Sequence, residues 1–266
     1  MKLRSVIGIT LLICLSACDA RNNDGDTSRL APDSANREKI DTPKAESKPS
    51  KPEPLVWPKR ENVNAFLKKF GAENPETVVK LKTRLGDIVI KLYEDTPLHR
   101  ANFLFNAKRG LYDHTIFYRV VPGFMIQGGN SDHEETQQLR SRNIAYYVPS
   151  EIQPQHIHKR GAVAMAMSYE NNPENKSAQY SFYIVIGKRY TEGELAAVEE
   201  EYDISIPDWA KKVYTTDGGT PHLDGKHTVF GEVLEGMEVV EAIAAEERDS
   251  GDWPINDVEI SIEIVE

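Results

Sequence analysis

The chain has 266 residues, 39% of them hydrophobic and 28% charged, with a formal net charge of −10. That hydrophobic share supports one real core beside a solvated remainder, and the length holds one large domain or two small ones. An acidic balance of this size repels phosphate backbones and anionic headgroups, which argues against nucleic acid or a bare lipid surface as ligand.

Lys2 and Arg4 precede an apolar run from Val6 to Leu15. At roughly ten residues the run has the length of a signal-peptide core and is too short to span a bilayer. Leu15-Ser16-Ala17-Cys18 resembles the bacterial lipobox. Residues 1–17 are therefore expected to be a lipoprotein signal peptide, and Cys18 the lipidation site. The chain has two cysteines, Cys14 and Cys18. Cleavage discards the first and lipid occupies the second, which leaves no thiol for a disulfide or a nucleophile. Loss of Lys2 and Arg4 takes the charge to about −12. The expectation is a cell-envelope protein, lipid-anchored to a bacterial membrane on the periplasmic side or in the outer membrane. It touches that membrane through lipid alone, and more than one acyl chain makes such an anchor stable.

Residues 18–60 read as the lipidated cysteine and a flexible linker. The stretch holds Pro32, Pro43, Pro49, Pro52, Pro54 and Pro58, many charges, and no aromatic residue before Trp57. It cannot bury enough apolar surface to offset its ordering entropy. Asn23-Asp24-Gly25-Asp26 lacks the later acidic ligands of a calcium loop and is read as linker.

Residues 61–76 form a helical extension: Val63, Phe66, Leu67 and Phe70 recur at helical spacing, and Gly71 stands at the expected stop. From Thr77 the period changes to two. Val79, Leu81, Leu85, Ile88, Ile90 and Leu92 alternate with polar residues about a Leu85-Gly86-Asp87 turn, which predicts a half-buried hairpin. Thr96-Pro97 opens a second helix through Phe103, Leu104 and Ala107, closed by Gly110. Further strands are predicted over 116–121, 125–128, 162–167, 182–186, 229–234 and 258–265, and a third helix over 237–245. There is no internal repeat. The pattern by itself allows a closed antiparallel barrel or a sandwich.

Four blocks go further. The stretch from Phe117 to Gly129, FYRVVPGFMIQGG, resembles the signature of the cyclophilins. Gly86 to Pro97 with Asn102-Phe103 resembles their opening hairpin and first helix. Gly161 to Ala166 resembles their central strand, and Leu223 to Gly231 the later pocket segment. All four stand in family order over 77–266. The resemblance implies a mainly β fold, a closed eight-stranded antiparallel barrel capped by two helices, and a peptidyl-prolyl cis/trans isomerase. It implies no cofactor, proline-containing polypeptides as partners, and a role in folding exported or envelope proteins.

The reaction explains why so few polar residues suffice. Rotation about a peptide bond meets a barrier of about 18–20 kcal/mol, because the nitrogen lone pair is delocalised into the carbonyl. Proline makes the two isomers nearly equal in energy but leaves exchange at tens of seconds or longer. At the transition state the bond is twisted and the lone pair localised, and an enzyme need only bind that form better than either planar one. Arg119 suits this chemistry, because its guanidinium is always charged and offers a rigid fork of donors. It could donate to the prolyl nitrogen or stabilise the displaced carbonyl. Reaching milliseconds takes about 10⁴-fold, roughly 5.5 kcal/mol. One preorganised donor in a dry site supplies about 3 kcal/mol, and the rest must come from gripping the ring and flanking backbone.

By the resemblance, Arg119 is catalytic, and Phe124, Met125, Tyr183, Leu223 and Phe230 form the apolar slot for the proline ring. Gln127 and the backbone at Ala166 and Met167 hold the peptide, and His227 closes one side. Three positions depart from the family pattern. Met167 stands where asparagine is common, which matters little if that position acts through its backbone. His222 replaces an aromatic Trp or Phe, so cyclosporin-like ligands are expected to bind only weakly. Ser181 replaces a glutamine whose amide helps orient the arginine, with Gln179 a possible stand-in. That loss motivates an alternative reading, a non-catalytic proline-peptide-binding or chaperone lipoprotein.

Two insertions, 131–145, polar and charged, and 191–216, rich in acidic residues, are read as solvated segments near the pocket or as an acidic rim that selects clients. The second is expected to contain a helix. His156 and His158 lie two apart with no third ligand nearby, so no metal set is read there. No phosphate loop or nucleophile elbow occurs.

Overall fold

The computed structural model describes residues 57–265. The expected signal peptide, the lipidation site Cys18 and most of the 18–60 linker lie outside the described residues. Among the described residues no helix is long and apolar enough to cross a membrane.

A short 3₁₀ turn leads into α1 (Val63–Glu73), which buries Val63, Leu67 and Gly71. The helix runs through Gly71 instead of stopping there. The reason is packing: a Cβ on Gly71 would meet the Cβ of Ala101 at 3.1 Å, so the glycine lets α1 press against α2 (Pro97–Lys108). Phe66 and Phe70 each meet Phe105 of α2 edge-on, at 5.2 and 5.4 Å between ring centres. Edge-to-face pairs of this kind add to simple burial.

Strands β1 (Val78–Thr83) and β2 (Gly86–Leu92) form the expected hairpin. Its loop is Arg84-Leu85, with Thr83 opposite Gly86. Gly86 opens β2 at φ +133°, and a Cβ there would strike Val239 at 2.8 Å. After α2 come β3 (Thr115–Val121), β4 (Met125–Asn130), α3 (Glu134–Ser141), β5 (Ala162–Met165) and β6 (Phe182–Val185). Then follow α4 (Glu192–Tyr202), α5 (Asp208–Thr216), β7 (Val229–Glu235), α6 (Met237–Ala244) and β8 (Glu259–Ile264). The first insertion thus carries a helix, and the second carries two where one was expected. α4 opens on a capping box, with the Thr191 hydroxyl accepting from the Glu194 N–H and the Glu194 carboxylate accepting from the Thr191 N–H.

The eight strands close into an antiparallel barrel in the order β1-β2-β7-β5-β6-β4-β3-β8, with β8 returning to β1. Closure leaves no free sheet edge. Alternation sorts the side chains into two apolar groups. The interior holds Leu81, Ile90, Phe117, Val120, Ile126, Val163, Phe182, Ile184 and Phe230, together with Phe103 and Leu104 from α2 and Val240 and Ile243 from α6. The outer group holds Met125, Ala162, Ala164, Tyr183, Val185, Leu223 and Val229, with Phe124 and Ala166 packed against it. That second group lies on the wall of the barrel, and it is where the site is built.

Candidate active site

Neighbouring strands align Arg119 of β3 with Gln127 of β4, Gln127 with Tyr183 of β6, and Tyr183 with Ala164 of β5. The row has the period-2 phase opposite to Ile126 and Ile184, which point inward, so it faces out. β3 breaks the alternation: Phe117 pairs with Gly128 and Arg119 with Gln127, leaving Tyr118 as an extra residue between them. Phe117 and Val120 are both fully buried in the interior. The bulge therefore gives two successive residues, Tyr118 and Arg119, to the outer face. Bulges re-aim side chains in this way beside active sites.

The row borders a cavity of about 210 Å³ lined by Arg119, Phe124, Met125, Gln127, Ala166, Met167, Tyr169, Tyr183, Leu223 and His227. Nine of these ten positions are among those expected from sequence. Phe124 comes from the β3–β4 turn, whose Gly123 takes φ +72°, and Leu223 from a 3₁₀ turn at Pro221–Leu223. The walls are apolar, and among the described residues Arg119 is the one cation lining the slot. The Arg119 Nε meets Asp252 Oδ2 at 3.4 Å, with both side chains substantially solvated. A long, exposed pair of this kind is worth little, and it leaves the guanidinium at the slot.

Gln127 is tied in place. Its Nε2 donates to the Tyr118 hydroxyl at 2.5 Å and to Ser181 Oγ at 3.2 Å. The Tyr118 hydroxyl lies 2.5 Å from Ser181 Oγ. Burial pushes the Tyr118 phenol above its ordinary range, the bonds from Ser181 and Gln127 opposing, so it stays protonated. The phenol oxygen accepts from Gln127, and between Tyr118 and Ser181 either hydroxyl can be the donor. Gln179 takes no part in this chain. It is buried elsewhere, with its backbone carbonyl accepting from the Asn102 and Asn106 amides at 2.9 Å each.

His227 is buried, with Nδ1 donating to the Met165 carbonyl at 3.3 Å and Nε2 accepting from the Tyr169 hydroxyl at 2.7 Å. Burial, then the nearby His158, push its pKa down to about 4. It is neutral near pH 7, and the slot carries the charge of Arg119 alone. Behind it, His158 Nδ1 meets Asp224 at 2.9 Å and its Nε2 meets the Tyr183 hydroxyl at 3.0 Å. Tyr214 of α5 donates to the other Asp224 oxygen at 2.6 Å. The second insertion thus braces the slot from behind. At the rim His222 stacks on Phe124, 5.7 Å between ring centres, and meets Tyr202 of α4 in a tilted contact at 5.1 Å.

Of the remaining expected residues, Ser181 stands beside the slot through Gln127, and His222 on its rim. Phe230 does not line it. Within β7 it has the inward phase, fully buried and 5.4 Å from Phe103. Tyr169 lines it without having been expected: it lies in the loop between β5 and β6, where no motif or period marks it. The Ala166 backbone is already occupied, its N–H donating to Ser181 and its carbonyl accepting from Ala178. The backbone of Met167 makes no such bond among the described residues. His156 does not join His158; it stacks on Tyr93 at 4.0 Å and meets Asp95.

A closed eight-stranded barrel with an arginine beside an apolar slot on its wall defines a class. The profile described as cyclophilin type peptidyl-prolyl cis-trans isomerase/CLD matches residues 78–264. The chain belongs to this family and is a peptidyl-prolyl cis-trans isomerase by class. It is 34% identical over 189 residues to a Staphylococcus haemolyticus protein that bears the name of such an isomerase, across 71% of this chain and 90% of that protein. It is 35% identical over 185 residues to a Streptococcus pyogenes protein named as a bifunctional phosphatase/peptidyl-prolyl cis-trans isomerase, across 68% of this chain and 37% of the relative. In fold it matches a Cryptosporidium parvum cyclophilin crystallised in the presence of the dipeptide Ala-Pro, with TM-score 0.51, 22% identity, and coverage of 71% of this chain and 99% of that one.

Proposed function

We propose that the slot takes the ring of a substrate proline and that Arg119 stabilises the twisted X-Pro amide. The observation that supports this is the placement of one cation, Arg119, at an apolar cavity of about 210 Å³ walled by Phe124, Met125, Leu223 and Tyr183. A proline ring leaving water for such walls gains affinity without favouring either isomer. Arg119 then supplies what differs between the planar and twisted forms, a donor for the localised nitrogen lone pair. Gln127, fixed through Tyr118 and Ser181, presents its carbonyl oxygen as the free end of its amide, suited to a donor on Arg119 or on the peptide. The unengaged backbone of Met167 offers an edge for the residue before the proline. The similar Cryptosporidium protein was crystallised in the presence of Ala-Pro, which is in keeping with a proline-containing ligand.

The finer role rests on sequence. A lipobox ending at Cys18 and a proline-rich segment before residue 60 favour a tethered isomerase that acts on exported or envelope proteins as they fold. The test has two arms. The chain should accelerate exchange in an X-Pro peptide, with Arg119→Ala losing most of that rate. Cys18→Ser should move the protein from the membrane fraction to the soluble one. Equal rates for wild type and Arg119→Ala would remove the catalytic assignment, and membrane retention of Cys18→Ser would remove the anchor.

A further inference from the structure

Away from the slot, at the other end of β3, two histidines and two carboxylates converge. His114 immediately precedes β3, His133 and Glu135 belong to the first insertion, and Glu259 opens β8. The ligating atoms of His114, His133 and Glu135 all lie within 4.8 Å of one another. The imidazoles of His114 and His133 are in contact, 4.1 Å between ring centres. His114 Nδ1 lies 2.6 Å from Glu259 Oε1. We propose that this cluster is a binding site for a divalent transition metal of the zinc type, with His114, His133 and Glu135 as ligands and Glu259 orienting His114.

Each part of the cluster answers to what such an ion requires. Imidazole nitrogen with carboxylate oxygen is the donor set that zinc accepts, at bonds of about 2.0–2.2 Å, leaving neighbouring ligand atoms roughly 3.4 Å apart. All three side chains are exposed at the surface, so closing from 4.8 Å needs only rotamer adjustment. Glu259 occupies Nδ1 of His114, and a carboxylate there leaves Nε2 as the free lone pair and strengthens it as a ligand. The backbone beneath is fixed in advance. The buried Ser131 hydroxyl donates to the His114 carbonyl at 2.7 Å and accepts from the His133 N–H at 3.2 Å. Thr136, also buried, donates to the Asp113 carbonyl at 2.6 Å. These bonds clamp the insertion to the turn before β3, and His114 is held there at φ +55°. An ion would clip α3, β3 and β8 together. His114 precedes Arg119 by five residues, about 16 Å along a strand, so the ion would stabilise the barrel without entering the reaction.

The test is a Zn²⁺ titration of the full, tag-free chain carrying Cys14→Ser and Cys18→Ser, so that no thiolate competes, with heat and thermal midpoint as readouts. The expected result is one ion per chain and a raised midpoint. Affinity should fall at least tenfold in His133→Ala and in Glu135→Gln, and by a similar factor in Glu259→Gln through His114. His114→Asn, which keeps a residue tolerant of the left-handed backbone, should lose binding as well. Exchange activity on an X-Pro peptide should be unchanged by zinc. No uptake by the parent chain, or uptake that survives both His133→Ala and His114→Asn, would overturn the proposal. So would loss of isomerase rate on zinc binding, which would point to the slot instead.

Discussion

The hydroxyl of Tyr118 lies 2.5 Å from Ser181 Oγ while accepting the Gln127 amide. Where the family pattern has a long glutamine, this chain has a short serine, and a tyrosine lifted by a bulge spans the gap. Tyr118→Phe keeps the ring and its tilted contact with Trp253, 6.0 Å between centres, and deletes only the bridge. The change removes the hydroxyl's bonds to Gln127 and Ser181; with the direct hold on Gln127 lost, about 1–1.5 kcal/mol, kcat/KM is expected to fall about tenfold with thermal stability little changed. Exchange spectroscopy on an X-Pro peptide checks this, and an unaltered rate would mean that the bridge is idle.

The bulge is also where the sequence stopped being legible. Alternation of period two marks the hairpin and the strands, because half-buried strands announce themselves by spacing; nine of the ten slot residues come instead from the resemblance to the cyclophilins, which spacing alone does not supply. A bulge has no period, so the outward placement of both Tyr118 and Arg119 could not be read from FYRVV. Phe230 shows the converse: a motif places a residue near a site, but which face of the strand it takes depends on register, and β7 turns it inward. Gly71 looked like a helix stop because glycine disfavours helices, and the contact with Ala101 that overrides this is tertiary. Tyr169 sits in a loop set by distant contacts, and His114 and His133 are nineteen residues apart.

The two aromatic positions give opposite phenotypes. Phe230 is a fully buried barrel residue, so Phe230→Ala should cost about 3–5 kcal/mol of stability through lost burial and a cavity. The folded fraction should keep its KM. Phe124 is a half-buried slot wall, so Phe124→Ala should leave stability within about 1 kcal/mol and raise KM roughly tenfold. Chemical denaturation beside steady-state kinetics separates the two, and exchanged phenotypes would contradict the inward phase of β7.

Acid should act through His227, which the fold holds near pKa 4 against an ordinary 6.5. As pH falls from 6.5, the unfolded chain binds this proton before the folded one, so stability rises with pH across the window and is lost on acidification from 6.5 to 4. The contribution of this residue is on the order of 3 kcal/mol across the whole interval, at 1.36 kcal/mol per unit. Activity should stay level from pH 8 to about 5 and decline toward 4, as a second cation enters the slot. His227→Gln should flatten the acid limb of the stability profile, and an unchanged limb would assign it to other groups.

Binding and turnover measured on one proline peptide, for wild type and Arg119→Ala, test the central claim most directly. An arginine that favours the twisted amide over both planar isomers should leave the dissociation constant within about threefold when removed, and lower the catalysed exchange rate by about 100-fold, some 3 kcal/mol. Loss of binding in proportion to rate would contradict the account, because Arg119 would then be gripping the ground state.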